Sequence, residues 1–211
     1  MKDIIIIGAG GFGREVEMLI RQINHEKNKW NFIGYLDDCE ALGNRVGNSQ
    51  VIGSIEKIVD FKSAYFVIAI ANTHIKRKIL EIIPPFSRPA ILIHPNVLLG
   101  ERVIIGDGTI ICAGNIITED ISIGKHVILN LSCTVGHDTN IKDFCSIMPS
   151  VNISGEVIIE QGVFVGTGSK IINKVGIGDF SIIGAGAVVS KTIPANCTAV
   201  GVPAKPIKFH E

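Results

Sequence analysis

The feature that most constrains the fold is an aliphatic residue at every sixth position from Ile93 to Val189. All 17 positions of this frame hold Ile, Leu or Val. These three residue types make up roughly a third of the chain, so the odds of filling a fixed frame by chance are on the order of 10⁻⁸. The frame consists of Ile93, Leu99, Ile105, Ile111, Ile117, Ile123, Leu129, Val135, Ile141, Ile147, Ile153, Ile159, Val165, Ile171, Ile177, Ile183 and Val189. An unbroken repeat predicts a solenoid of short strands without long loops between its coils.

Two other positions of each hexad support this interpretation. The fourth residue after the aliphatic one is small or β-branched in nearly every hexad, as at Cys133 and Cys145, and such a residue fills a narrow corner of the interior. The residue directly after the aliphatic one is often Gly, as at Gly136 and Gly166. Because Gly adopts positive φ at little cost, we expect these glycines to allow the sharp bends between strands.

The first 85 or so residues have a different pattern, which predicts a Rossmann-like βαβ unit. Continuous apolar runs indicate buried parallel strands, and apolar residues at helical spacing indicate a helix between them. The predicted elements are strands over 2–7, 31–36 and 65–71, helices over 14–23 and 73–83, a short strand near 51–52 and a short helix from about 54, with turns elsewhere in 39–63. We therefore expect a Rossmann-like α/β domain at 1–88 and an all-β solenoid domain at 89–211.

Composition gives little support for several classes of partner. Lys and Arg together number 20 and so do Asp and Glu, so net charge gives no reason to expect nucleic acid or an anionic membrane as a partner. The apolar run from Ile4 to Ile7 is too short to cross a bilayer. The five cysteines form no CxxC pair, their number is odd, and no secretory signal is evident, so we expect reduced thiols and a cytoplasmic location.

A glycine-rich turn follows the first predicted strand. Gly10 and Gly11 allow backbone N–H groups and the following helix N-terminus to approach a diphosphate, with Phe12 in the same turn. Asp37 and Asp38 follow the second strand, and Asn72 follows the third, at the same edge of a parallel sheet. This pattern also fits NAD enzymes, but 85 residues are too few for both halves of a dinucleotide fold, and the rest of the chain offers no hydride chemistry. Structural interpretations compete with this one. The glycines could form only a tight turn between strand and helix, and the two Asp residues could cap helices or be solvated in a loop.

The hexads resemble those of the left-handed β-helix acyltransferase family. The endings Gly184–Val189 and Gly201–Lys205 are similar to those of acetyl-CoA-using members. The glycine turn and the string Leu36-Asp37-Asp38 narrow the match. Together with the hexads they resemble the N-acetyltransferases that act on nucleotide-linked 4-amino-4,6-dideoxy sugars, and the sialic-acid O-acetyltransferases are the alternative. The resemblance implies three hexads per left-handed coil, acetyl-CoA as co-substrate, a sugar nucleotide held by the N-terminal unit, and a homotrimer with active sites between subunits.

In this family a His followed by Glu or Asp provides the general base, and His137-Asp138 occupies that place. A neutral imidazole suits proton removal near pH 7, and the neighbouring carboxylate would orient the ring. The alternative is an exposed turn histidine. Asn130, seven residues earlier, is a candidate substrate contact or an ordinary turn residue.

The resemblance also implies an acetyl-CoA surface of small residues along one edge of the solenoid. We expect contacts from Gly155, Gly166, Thr167, Ala185 and Gly186, with Lys205 either near the CoA phosphates or solvated. Two positions depart from the pattern. Several relatives have a second His, which touches acetyl-CoA, where this chain has Ser146, and some have a polar residue where it has Phe12.

A non-catalytic solenoid is the competing hypothesis from another class. Some β-helix proteins of the carbonic-anhydrase type bind a metal through several histidines between subunits. His94, His126 and His137 show no matching spacing here, so we expect no metal. His25, His74, His126 and His210 show no pattern that indicates a partner.

Overall fold

The computed structural model describes residues 1–39, 43–46 and 49–210, which form an α/β unit followed by a parallel β-helix. The α/β unit contains strands β1 (Lys2–Ile7), β2 (Trp30–Leu36), β3 (Arg45–Val46), β4 (Ser49–Gly53), β5 (Tyr65–Ile68) and β6 (Arg88–Pro89), helices α1 (Gly11–Glu26) and α2 (Thr73–Ile82), and a 3-10 helix (Ile55–Asp60). The turns expected between 39 and 49 lie partly outside the described residues. Strand β5 is shorter than predicted, because its partner β1 ends at Ile7 before Gly8 turns away with a φ of 102°.

Strand β1 is the centre of the α/β sheet. It pairs in parallel with β2 on one side and β5 on the other, in the order β3-β4-β2-β1-β5-β6. Ile4 and Ile6 pack with α1, whereas Ile5 and Ile7 pack on the opposite face, and all four are fully buried. The carboxyl ends of β1, β2 and β5 therefore meet at one edge of the sheet, as predicted.

The chain leaves this sheet after Pro89 and enters the solenoid at Leu92. Residues 92–189, all of them described, contain one two-residue strand in every six residues. These strands are β7 (Leu92–Ile93), β8 (Leu98–Leu99), β9 (Ile104–Ile105), β10 (Ile110–Ile111), β11 (Ile116–Ile117), β12 (Ser122–Ile123), β13 (Ile128–Leu129), β14 (Thr134–Val135), β15 (Asn140–Ile141), β16 (Ser146–Ile147), β17 (Asn152–Ile153), β18 (Ile158–Ile159), β19 (Phe164–Val165), β20 (Lys170–Ile171), β21 (Gly176–Ile177), β22 (Ile182–Ile183) and β23 (Val188–Val189).

Each strand pairs in parallel with the strand 18 residues away, so a coil contains three hexads, as expected. The solenoid has three faces. The first face contains β7, β10, β13, β16, β19 and β22, the second contains β8, β11, β14, β17, β20 and β23, and the third contains β9, β12, β15, β18 and β21. From Ile111 to Val189 every aliphatic residue of the frame is at most 2% exposed, which confirms the interior positions predicted from the repeat.

The expected role of the glycines at the bends was wrong. In the turns from Arg102 to Gly186, the left-handed residue is the third after the aliphatic one, as at Asp138 with a φ of 58°. Gly136, directly after Val135, is needed for a different reason, because a Cβ there would lie 2.6 Å from the backbone nitrogen of Gly155 in the next coil. The coils approach each other too closely at this point for a side chain.

The C-terminal end of the solenoid is an antiparallel hairpin. Strand β24 (Cys197–Val200) pairs in parallel with β22, and β25 (Lys205–Phe209) returns along β24. No helix within the described ranges is long and apolar enough to cross a membrane.

Helix α2 attaches the α/β unit to the first face of the solenoid. The Nζ atom of Lys76 donates hydrogen bonds to Ser146 Oγ at 2.8 Å, His126 O at 3.0 Å and Cys145 O at 3.1 Å. Lys76 is fully buried, and this burial lowers its pKa to about 7. A lysine side chain thus joins the two units with all three donors satisfied.

Candidate active site

His137 and Asp138 lie in the turn between β14 and β15, at the corner of the second and third faces. Their side chains are 61% and 58% exposed, and His137 Nδ1 lies 2.7 Å from Asp138 Oδ2. An ionised carboxylate only accepts, so the Nδ1–H group donates, and Nε2 keeps its lone pair. The pair presents an oriented imidazole to solvent on the outside of the solenoid.

Asn130 lies at a different corner of the same coil, where the first and second faces meet. Its Oδ1 accepts a hydrogen bond from the backbone nitrogen of Leu131 at 2.7 Å, and the residue is buried. Strand β14 therefore separates Asn130 from His137. The side-chain oxygen of Asn130 already accepts a hydrogen bond within its own turn.

The residues expected at acetyl-CoA fall on two corners. Gly155 lies one coil after His137 at the same corner, whereas Gly166, Thr167, Ala185 and Gly186 lie in successive coils at the corner of the first and second faces. One chain therefore does not bring this set together along a single edge.

Ser146 does not face either of these corners. Its side chain is fully buried on the first face and accepts the hydrogen bond from Lys76. We expected Ser146 to touch acetyl-CoA, but in this chain α2 covers its side chain, so its hydroxyl presents no surface to a co-substrate. No local pattern indicated this contact, since 70 residues separate the two partners.

The glycine turn leaves open space at this edge of the sheet. A Cβ added at Gly10 would meet no atom within 4 Å, and one at Gly11 would meet only the Arg14 side chain at 3.9 Å. Asp37 Oδ2 accepts from the backbone nitrogen of Ala9 at 2.7 Å and thereby braces this turn. Phe12, in contrast, packs against the apolar core beside α1.

Asp38 and Asn72, at the same edge of the sheet, cap helices. Asp38 Oδ1 accepts from the backbone nitrogen of Ile55 at 2.8 Å, where the 3-10 helix begins. Asn72 Oδ1 accepts from the backbone nitrogen of Ile75 at 3.0 Å and caps α2. For Asp38, the capping alternative is the arrangement that the structure shows.

Sequence reasoning missed a cleft between the two units. A cavity of about 290 Å³ is lined by Asn72, Thr73, His74, Phe164, Phe180 and Ile182. The rings of His74 and Phe180 stack with centroids 5.1 Å apart. These two residues are more than 100 positions apart, so only the packing of α2 on the solenoid reveals them. Among the described residues, no group of three or more His, Cys, Asp or Glu side chains is placed to hold a metal.

Comparison with known proteins agrees with this architecture. Residues 3–83 match the family described as the PglD N-terminal domain. The chain is 33% identical to GDP-perosamine N-acetyltransferase from Escherichia coli O157:H7 over 213 residues, which cover 96% of this chain and 95% of that protein.

Two solved structures are similar over nearly the whole chain. PerB from Caulobacter crescentus, in complex with CoA and GDP-perosamine, has a TM-score of 0.86 and 26% identity, covering 99% of this chain and 98% of its own. The acetyltransferase domain of PglB from Neisseria gonorrhoeae, in complex with acetyl coenzyme A, has a TM-score of 0.89 and 30% identity, covering 98% of this chain and 99% of its own. The chain therefore belongs to the left-handed β-helix acyltransferases with hexapeptide repeats, in the subfamily of the nucleotide-sugar N-acetyltransferases.

Proposed function

We propose that this protein transfers the acetyl group of acetyl-CoA to the 4-amino group of a nucleotide-diphosphate-linked 4-amino-4,6-dideoxy sugar, with His137 as the general base. The observation that carries the proposal is the exposed His137 ring, held by Asp138 at 2.7 Å with Nε2 available. The relatives support the choice of substrates, since one is a GDP-perosamine N-acetyltransferase and another was solved with CoA and GDP-perosamine.

The reaction needs one proton acceptor and no covalent enzyme intermediate. The amine nitrogen attacks the thioester carbonyl carbon, a C–N bond forms, and the amine proton passes to Nε2 of His137. Asp138 stabilises the resulting imidazolium through Nδ1–H. The C–S bond then breaks, and the departing CoA thiolate takes the proton from the imidazolium, which restores the neutral ring.

The acceptor would be held at the edge of the α/β sheet where β1, β2 and β5 end. Gly10 and Gly11 leave open space at the start of α1, where backbone N–H groups favour a diphosphate. Asp37 keeps the turn in place through Ala9. The cleft lined by Asn72 and Phe164 lies between α2 and the first face of the solenoid and offers further space beside the sheet edge.

The division of the acetyl-CoA residues over two corners favours a homotrimer. In such a ring, the corner with His137 and Gly155 of one subunit meets the corner with Gly166 and Ala185 of its neighbour. Each groove between subunits then contains the base and the small-residue surface that suits a pantetheine arm.

A thiol-release assay tests the proposed reaction. The protein is mixed with acetyl-CoA and UDP-, dTDP- or GDP-linked 4-amino-4,6-dideoxy sugars, with sialic acid as an oxygen acceptor, and free CoA is followed. We expect release with one amino sugar and a loss of about 10²- to 10⁴-fold in His137→Ala. Release only with sialic acid would indicate O-acetyl transfer, and full activity of His137→Ala would reject this residue as the base.

A further inference from the structure

The imidazole of His137 lies directly over Gly155 of the next coil. A Cβ built on Gly155 would lie 2.6 Å from His137 Nε2, 2.7 Å from Cε1 and 3.0 Å from Cδ2. Carbon atoms in contact are normally about 3.5–4.0 Å apart. The ring therefore occupies the space that a side chain at position 155 would fill.

The backbone itself does not require glycine at this position. Gly155 is not among the glycines with positive φ, and the residues at the same place in the other coils are Glu101, Glu119, His137, Asn173 and Lys191. Within residues 101–191, all of them described, this column has a side chain in every coil except the one that follows His137. Glycine at 155 is thus explained by the ring above it.

We propose that Gly155 is a positioning residue for His137, an inference that rests on the proposed role of His137 as the base. Asp138 orients the ring through a hydrogen bond with Nδ1. Because Gly155 has no side chain, the Nε2 side of the ring can pack directly over its backbone. Without this space, an exposed His side chain has several staggered rotamers available. Asp138 and Gly155 together select one of them.

The variant Gly155→Ala separates positioning from folding. The added methyl group meets the end of an exposed side chain and no backbone atom among its three nearest neighbours, so the coil is expected to keep its structure while the ring moves by roughly 1 Å. A displacement of this size at a reacting group costs about 10²-fold in rate. Gly176→Ala is the matched control, because its Cβ would meet its nearest atom, Thr192 Cγ2, at an ordinary 3.6 Å.

The experiment uses the full-length enzyme and three measurements. Thiol release is followed with acetyl-CoA and the panel sugar that the wild type uses fastest. The Kd of acetyl-CoA is measured by calorimetry. The ring of His137 is observed by NMR in histidine-labelled protein without substrates, with its signal assigned from the His137→Ala variant.

For Gly155→Ala we expect a kcat about 10²-fold lower, a shifted His137 ring signal, an unchanged unfolding temperature, and a change in the Kd of acetyl-CoA that is much smaller than the loss of kcat. Adding Gly155→Ala to His137→Ala should cost nothing more, because a residue that acts through another has no effect once that residue is gone. Gly176→Ala should match the wild type in every measurement.

The measurements distinguish a failure of this inference from a failure of the proposed function. If His137→Ala is inactive but Gly155→Ala keeps full activity and the wild-type ring signal, Gly155 does not position the ring. If the ring signal is unchanged and the Kd of acetyl-CoA rises, Gly155 acts on the co-substrate. If His137→Ala itself stays active, it is the proposed function that fails.

Discussion

At the scale of single residues, the candidate chemistry depends on an imidazole that is mostly in solvent. His137 is 61% exposed, and its ring contacts Asp138 on one side and lies over Gly155 on the other. An exposed pair is screened by water, so the free energy of its ionic interaction is small compared with that of a buried pair. The value of Asp138 therefore lies mainly in fixing the orientation and tautomer of the ring.

This interpretation predicts a specific effect of Asp138→Asn. Asn tolerates the φ of 58° found at this position, so the turn should persist. The uncharged amide no longer stabilises the imidazolium, and we expect kcat to fall about 10- to 100-fold with little change in either KM. The loss is smaller than for a buried triad because the pair is exposed.

Asp120→Asn provides the matched control for this measurement. Asp120 occupies the same place one coil earlier, with a φ of 58°, and pairs with Arg102 at 2.6 Å. Thiol release by this variant should equal that of the wild type. Equal losses in both variants would mean that the turn, and not the His137–Asp138 pair, is responsible.

At the scale of elements, the repeat determined the strands more completely than any single motif determined the site. A period of six placed the interior residues correctly from Ile111 to Val189, because each must point into a narrow core. The βαβ order also followed from apolar runs and the glycine turn. The contacts of Ser146 and His74 were not predictable, since both depend on how α2 packs on a face formed by residues 50 or more positions away.

The junction made by α2 has a testable pH dependence. Burial lowers the pKa of Lys76 to about 7 from an ordinary value near 10.5, while the Cys145 thiol beside it has a pKa raised by burial to about 12. Between pH 7 and 10.5 the unfolded chain therefore binds more protons at Lys76 than the folded chain does. The contribution of Lys76 to the free energy of unfolding should therefore rise with pH across that window, by at most about 1.4 kcal/mol per pH unit.

Lys76→Met should remove this rise, because Met has a similar length and does not titrate. Urea midpoints at pH 7, 8, 9 and 10, at fixed protein concentration, would show the wild type gaining stability relative to the variant. Lys78→Met, an exposed position on the same helix, serves as the control and should follow the wild-type curve. Parallel curves for wild type and Lys76→Met would contradict a lowered pKa of Lys76 in the folded protein.

At the scale of the whole molecule, the residues proposed to form the site lie at two separate corners of one chain. His137 and Gly155 lie at one corner of the solenoid, and Gly166 and Ala185 at another. A ring of three subunits with heterologous contacts places one corner against the other three times. The proposed trimer therefore predicts that two chains, each damaged at a different corner, can restore a working site together.

Two variants allow that test, because each leaves the other corner intact. His137→Ala removes the base, and Ala185→Trp adds bulk at an exposed position of the small-residue corner. Each homotrimer should be inactive.

In any mixed ring of three, whether two of one variant or two of the other, only one groove joins an intact His137 corner to an intact Ala185 corner. Mixed trimers purified through two different tags should thus recover about a third of wild-type thiol release. A site contained within one chain would give no recovery, since every chain in the mixture carries one defect.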